Sequence, residues 1–464
     1  MRTVFAIIIL GSALISAVHA DAAAPLPARI DYVAGSTQKV CQLTGEIDRQ
    51  FNQPTLSQTE TRFGLVGTDE GPPFEHNGTL YFPFGDSGPT PMFRGRPNGD
   101  GIPPRLADDN DSIGYAERIA PNNCIQLGFI HYPNGAYKNP VVLDASGKPA
   151  ITLRTNETPH FGISVGGQMY VLFLTDNFLS NPPNGPSHPN GGASRSVMAV
   201  STDNAQSFHY LYDFSKGPGA KFIMNAIQAG QDGYIYFWGT EGAKQYRRSP
   251  VYLARLRADA IATGDGRQYF YGFGPEGGAL FARDNESAAV PLFHDYIPGD
   301  PNPHDCAGEV GVEWNNYLRR WVMLYNCANA SPDNPPGVYM RTALLPWGPW
   351  SAPQTIFNAK RDGGLCAFIH RAVTPNEPQC DNLSGPKRMD VNGGAYGPYF
   401  ISRFTTGAGA TSTFFYVLST WNPYEVVIMK STVRIEGNAP LPPIPPPHVV
   451  PHPCPPGARC PTPE

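Results

Sequence analysis

Apolar residues in this chain fall in short runs broken by glycine-bearing turns, and helix-period stretches are scarce after residue 20. One unit recurs: an apolar strand, a turn, an aromatic-rich return strand, a loop and a further strand. The first copy is a hairpin about Asn77-Gly78, then residues 112–116 and 125–131. The second is 161–165, a turn at Gly166-Gly167, 168–174, 196–201 and 208–214. The third is 222–229, a turn near Asp232-Gly233, 234–238 and 251–257. The fourth is 309–314, a turn through Asn315-Asn316, 321–326, 338–342 and 354–357. The fifth is 396–404, 413–418 and 425–433. Each unit is a twisted antiparallel sheet that cannot bury both faces alone, and packing five around an axis does so. The pattern predicts an all-β, five-bladed β-propeller. A sandwich of ~100 residues is too small, and a β-helix needs a much shorter repeat. The expected organisation is a signal peptide at 1–20, an extension packing on the propeller at 21–58, the propeller at 59–435, and a Pro-rich tail at 436–464. The tail reads as extended polyproline II, a spacer or stalk.

The first hairpin carries the most informative chemistry. A two-residue primed turn needs φ > 0 twice, which Asn-Gly tolerates. Counting outward, His76 opposes Thr79 and Asp69 opposes Asp86. Opposed residues share a face with Cβ atoms about 4.5–5.5 Å apart. Two opposed carboxylates repel, so stability does not favour them, whereas a carboxyl pair about that far apart is what a retaining glycosidase needs. The same count sets Pro72 against Pro83, which cannot exchange ladder hydrogen bonds. A bulge there would shift the register. As ordinary turn residues, the aspartates would only close strands.

In a propeller the first strands start, and the second strands end, around one mouth of the central channel. Applied to all five units, this rule collects a polar set. It comprises Asp69 and Asp86; Glu157, His160 and Asp176; Asn225, Thr240 and Glu241; Glu309 and Asn326; and Tyr396, Thr420 and Trp421. Asp176 follows its turn as Asp86 follows Asn77-Gly78. Acids, amides and an aromatic fit a sugar better than an apolar ligand, although solvated strand ends are polar in any case.

Composition narrows the classes. Net charge is −5 with no basic run, so nucleic acid and anionic membranes are poor partners. Arg2, the apolar stretch from Val4 and Val18-His19-Ala20 read as an export signal with a cleavage site, and no later stretch approaches the ~20 apolar residues of a membrane span. A secreted or periplasmic monomer is expected. Eight cysteines in an exported chain point to disulfides. Local pairing gives Cys306–Cys327, Cys366–Cys380 and Cys454–Cys460 and leaves Cys41–Cys124, though spacing alone does not decide connectivity. No zinc-site spacing or calcium ligand run is present, and no cofactor is expected. No Gly-x-Ser-x-Gly elbow is present, and the glycines at 272–278 lack the strand–loop–helix setting of a phosphate cradle.

Residues 201–208, Ser-Thr-Asp-Asn-Ala-Gln-Ser-Phe, resemble the Asp-box turn of sialidase-type propellers, in which Asp203 bonds local backbone. A wider resemblance covers residues 60–435. Its motifs are Gly67-Thr68-Asp69, Phe84-Gly85-Asp86, Asp232-Gly233-Tyr234-Ile235-Tyr236 with Trp238-Gly239-Thr240, and Pro346-Trp347-Gly348-Pro349-Trp350-Ser351. Tyr396-Gly397-Pro398-Tyr399 and Ser419-Thr420-Trp421-Asn422-Pro423-Tyr424 complete the series. In this order they resemble the bacterial domain-of-unknown-function family 4185, part of which is classed as glycoside hydrolase family 183. The resemblance implies a five-bladed propeller and, as in characterised members, endo-acting cleavage of α-D-arabinofuranosyl linkages in mycobacterial arabinogalactan and lipoarabinomannan. It places the family's acidic pair on Asp69 and Asp86. The chain departs from the family in its proline-flanked strand, its insert from Pro89 to Asp111 and its tail. The leading expectation is a retaining endo-glycosidase with Asp69 and Asp86 as nucleophile and acid/base. Glu309, Glu241 or Asp176 would tune the pair or bind hydroxyls, and Trp421 and Tyr396 would stack on sugar. A non-catalytic glycan- or envelope-binding propeller would instead hold the aspartates too far apart or pair each with a basic group. A sialidase-like enzyme would need an arginine cluster, for which Arg62, Arg247 and Arg341 are the candidates.

Overall fold

The computed structural model describes residues 28–88, 110–153, 157–177, 193–217, 219–241, 249–295, 305–327, 337–376, 378–381, 383, 389–390 and 392–436. The export signal, most of the insert after residue 88, the Pro-rich tail and the Cys454–Cys460 bridge lie outside the described residues.

Five sheets form a five-bladed propeller. From axis to rim, the first blade runs Gly67–Glu70 with Phe74–His76, then Thr79–Gly88, Asn110–Ile119 and Ile125–Phe129. The second runs Pro159–Val165, Gln168–Asn177, Ala193–Ser201 and Phe208–Lys216. The third runs Met224–Ala229, Tyr234–Thr240, Tyr252–Arg257, Gln268–Phe273 and Ala279–Arg283. The fourth runs Ala307–Asn315, Arg320–Cys327, Gly337–Ala343 and Gln354–Asn358. The fifth runs Gly394–Phe400, Thr411–Trp421 and Glu425–Glu436. Its rim comes from the N-terminal extension, whose Arg29–Tyr32 and Gln38–Gln42 both pair with Glu425–Glu436. The extension therefore belongs to the last sheet, and the two ends of the described chain close the ring.

Blades bury both faces, so their middle strands are apolar almost throughout rather than alternating. Between blades three and four, Trp238 and Trp321 pack with ring centroids 5.2 Å apart, and the Trp238 indole donates to the Pro346 carbonyl at 3.1 Å. Blades four and five meet most closely at Gly311. A Cβ there would lie 2.3 Å from the Pro398 carbonyl oxygen, so only glycine fits.

The strands Gln268–Phe273 and Ala279–Arg283 are absent from the sequence-based reading. Their glycines, read there only as a rejected phosphate loop, form a hairpin turn in which the Gly274 N–H donates to Gly278 O at 2.8 Å. Tyr269 and Phe270 are buried side by side while Tyr271 and Phe273 are exposed at the rim, so burial does not alternate along the strand.

Among the described residues three disulfides form: Cys41–Cys124, Cys306–Cys327 and Cys366–Cys380. Such bridges belong to an oxidising compartment. Among the described residues no helix is long and apolar enough to cross a membrane.

Glu313, on the inner strand of blade four, is buried, and its carboxyl accepts from the Thr405 hydroxyl at 3.2 Å. Burial pushes its pKa to about 8 from an ordinary 4.5, against hydrogen bonds from Ser402, Thr405 and Asn315. The folded chain thus holds a proton that the unfolded chain releases between those values. Its contribution to stability is full below about 4.5 and is lost as pH rises through about 8. Glu313→Gln is expected to flatten that decline. Chemical denaturation at pH 5 and pH 8.5 checks this, and an unaltered pH slope would contradict it.

Candidate active site

The hairpin that carries the two aspartates folds with two irregularities. His76 pairs with Thr79 across Asn77 (φ 48°) and Gly78 (φ 81°), as the primed turn requires. Phe74 still pairs with Tyr81, but Glu70 pairs with Phe84. Three residues therefore face two. The extra one is absorbed where Glu70 and Gly71 turn left-handed, at φ 61° and 80°. Pro83 gives its carbonyl to the Gly71 N–H at 3.0 Å, so Pro72 does not oppose it. This corrects the simple count: Asp69 pairs with Gly85, one residue short of Asp86. Asp86 (φ 41°) occupies a second irregularity opposite Thr68, whose hydroxyl bonds Gly85 O at 2.8 Å. The Asp86 N–H donates to Asp111 Oδ1 at 3.0 Å.

Asp69 is buried, and its Oδ2 accepts from the Tyr396 hydroxyl at 2.8 Å. Tyr424 presents its hydroxyl to the same carboxyl. The approach of Gly85 leaves Asp69 Oδ1 only 3.0 Å from where a Cβ would stand. Burial first, then the charges of Glu70 and Asp86, push the Asp69 pKa well above 3.8, while the two tyrosines pull it down. The side chains of Asp69 and Asp86 thus sense each other although the residues are not paired across the ladder. Asp86 itself is only half-buried.

A second group of acids lies beside them. Glu70 is buried, its N–H donates to Ser419 Oγ at 2.8 Å, and its carboxyl accepts from the Tyr399 hydroxyl. His160 Nε2 is 3.2 Å from that hydroxyl and 3.4 Å from Glu70 Oε2. Glu309 is fully buried. Its N–H donates to Asn326 Oδ1 at 2.8 Å, and its carboxyl oxygens have no hydrogen-bond partner among the described residues. Burial first and then the Glu70 charge raise its pKa well above 4.5. Burial, followed by these acids, keeps Tyr396, Tyr399 and Tyr424 protonated as donors.

Of the residues expected at the mouth, Asp69, Asp86, His160, Glu309 and Tyr396 come together. Of the others, Asn326 holds the Glu309 N–H, the Thr240 hydroxyl has no hydrogen-bond partner among the described residues, and the rest have partners elsewhere. Buried Glu157 accepts from Thr152 Oγ1 at 2.8 Å. Asp176, left-handed at φ 58° like Asp86, is ion-paired to Arg195 at 2.8 Å, and Arg195 also holds Asp213. The Asn225 amide folds back onto Phe222 O at 2.8 Å. Glu241 accepts from the Tyr252 hydroxyl at 2.7 Å. Half-buried Trp421 pairs with Gly394 two residues from Tyr396, and its indole donates to Asn392 O at 3.1 Å. Arg62 and Arg341 are tied to Glu117 and Asp295, and Arg247 lies outside the described residues. Asp203 accepts from Ser201 and Ser207, the structural turn expected of its motif.

Sequence reasoning missed Glu70, Tyr399, Tyr424 and Ser419. Strict alternation puts Glu70 on the face opposite Asp69. The available signal was Gly71-Pro72-Pro73, a run that cannot continue a regular ladder. Likewise Gly397-Pro398 breaks the last inner strand, and the register shift between Tyr396 and Tyr399 brings both rings to the acids.

No metal fit emerges from these acids. Among the described residues, three ligating side chains come within 4.8 Å of one another only at Cys366, Cys380 and Asp381, and both cysteines there are bonded in a disulfide.

One family model, Domain of unknown function (DUF4185), matches residues 55–430. No protein of curated function matches the sequence. Among solved structures, the chain is similar to an exo-beta-1,3-galactanase from Phanerochaete chrysosporium, with 12% identity and a TM-score of 0.39 over 85% of this chain and 64% of that one. It thus spans less than two thirds of that galactanase. It is also similar to the beta-xylosidase RS223, with 11% identity and a TM-score of 0.39 over 80% and 93% of the two chains. An exo-beta-1,3-galactanase from Clostridium thermocellum gives 10% identity and a TM-score of 0.38 over 85% and 62%.

Proposed function

The chain belongs to the DUF4185 family, and from that premise we propose that it is a secreted glycoside hydrolase that cleaves furanoside polysaccharide from within. The observation that carries this is the state of Asp69: a buried carboxyl kept protonated next to a second, half-buried carboxyl, Asp86. A carboxyl whose pKa is raised by burial suits the acid role beside a more exposed carboxyl. Asp69 is then the general acid, which donates its proton to the leaving sugar oxygen. Asp86 is the nucleophile that takes the anomeric carbon, and water later releases the sugar with Asp69 as base. Tyr396, bonded to Asp69, orients that carboxyl, and half-buried Trp421, paired with Gly394 two residues from Tyr396, is the ring we assign to stacking on sugar. The motif series shared with glycoside hydrolase family 183 supports α-D-arabinofuranosyl linkages of arabinogalactan and lipoarabinomannan as the substrate.

Mature protein incubated with mycobacterial arabinogalactan is expected to release oligosaccharides rather than single sugars. Proton NMR of the first products should show retained anomeric configuration. Inverted product would place the carboxyls in the wider arrangement of about 6.5–9.5 Å and replace the nucleophile with a base. No product from folded protein would remove the arabinan reading and leave a glycan-binding propeller.

A further inference from the structure

We propose that Glu70 is a positioning residue of this site, a buried carboxyl group anchored by Tyr399 and His160 that keeps the proton on Asp69. The inference rests on the reading of Asp69 as the general acid.

The geometry of Glu70 is costly. A glutamate at φ 61° occupies a region that non-glycine residues seldom enter, and such conformations persist only where the surroundings over-determine them. Here the surroundings do so at three points. Ser419 Oγ takes the backbone N–H, Tyr399 donates to the carboxyl, and His160 closes on the same pair. The result places two consecutive carboxyls together in the interior, where alternation would have sent one away. Stability does not call for this, because adjacent buried acids repel.

A hydrogen-bond chain holds the Glu70 carboxyl. The Tyr399 hydroxyl donates to Glu70 Oε2, so its oxygen is free to accept from the Nε2 proton of His160. The other nitrogen, Nδ1, is buried without a partner among the described residues. Hydrogen bonds given to a carboxylate favour its ionised form. Around Asp69 the balance is opposite. Burial first, then Glu70 from its own strand and Asp86 from the next, raise its pKa, and Tyr396 and Tyr424 of blade five oppose them. Glu309 of blade four faces Glu70, and burial first and then that neighbour raise its pKa as well. The Glu70 carboxyl thus acts on both Asp69 and Glu309, and Asp69 is the one that adjoins Asp86.

The test compares wild type, Glu70→Gln and Glu70→Asp. Infrared difference spectra against Asp69→Asn follow the protonated carboxyl band of Asp69 with pH, and need no substrate. Glu70→Gln is expected to lower the Asp69 midpoint by about one unit, roughly a tenfold loss of protonated Asp69 at any pH above it. Glu70→Asp is expected to restore the midpoint in large part. The alkaline limb of arabinan hydrolysis should move with the band. If Glu70→Gln does not fold, as judged by thermal melting, Tyr399→Phe removes the main donor to Glu70 and is expected to move the midpoint the same way by less. An unmoved midpoint in folded variants, or a uniform loss of rate at every pH, would overturn the proposal. Should wild type hydrolyse no arabinan, the infrared arm still decides the question of Glu70, and the failure belongs to the substrate reading.

Discussion

Asp69→Asn is expected to lower the rate of glycan hydrolysis by roughly 10²–10⁴-fold, the usual contribution of a positioned general acid. Asparagine keeps the shape of the side chain, and its amide oxygen can still accept from Tyr396. What is lost is a proton to give. The same change is expected to raise stability at neutral pH. The Asp69 pKa is raised in the folded chain, so its protonation contributes stability that is full below about 3.8 and is lost as pH rises towards the folded value. An amide has no such loss. Activity falling while the melting temperature at pH 7 holds or rises is the signature of a site that trades stability for chemistry. Rates on arabinan and a thermal melt of one preparation provide both numbers. A variant that retains most of its activity would remove Asp69 from the acid role. A variant that melts well below wild type would mean that Asp69 is ionised and paired in the folded chain.

The two halves of this site differ in how far they could be read from the chain. Asn77-Gly78 sets a turn through local backbone preference, so His76 opposite Thr79 and the whole hairpin were legible. The five repeats were legible for a similar reason, since each middle strand is buried on both faces and leaves an apolar run. Asp69 and Asp86 were found by counting, and the count was wrong by one. The irregularities at Glu70-Gly71 and at Asp86 shift the register, and the Asp86 charge still acts on the buried Asp69 carboxyl. Glu70 was invisible to alternation, which a left-handed residue breaks. Tyr424 and Ser419 reach the acids from residues more than 300 positions away, and only the closing of the ring brings them there. Conversely Asp176, Glu241 and Asn225 matched the strand-end pattern, but each has a partner within its own blade. Position at a mouth is set by topology; whether a polar group is free to act depends on its neighbours, which spacing does not encode.

That ring closure carries the second large effect. Gln38–Gln42 joins the last blade by pairing with Glu425–Glu436, and its Cys41 is bonded to Cys124, next to the rim strand Ile125–Phe129 of the first blade. The bridge therefore ties the two blades between which the propeller would open. Cys41 and Cys124 are 83 residues apart. Replacing both by alanine is expected to cost roughly 4 kcal/mol, because a cross-link over a loop of that length strongly restricts the unfolded chain. Cys366–Cys380 spans only 14 residues, and its removal is expected to cost less, about 3 kcal/mol on the same argument. The closure adds a second reason for the order. Lys39 and Asp48 form a buried ion pair at 2.7 Å beside Cys41, and loosening the strand would open that pair to water. Denaturant unfolding of the two double variants under oxidising conditions measures both losses. If the Cys41/Cys124 variant proves no less stable than the Cys366/Cys380 variant, the last blade is held by strand pairing alone and the bridge does not act as its clasp.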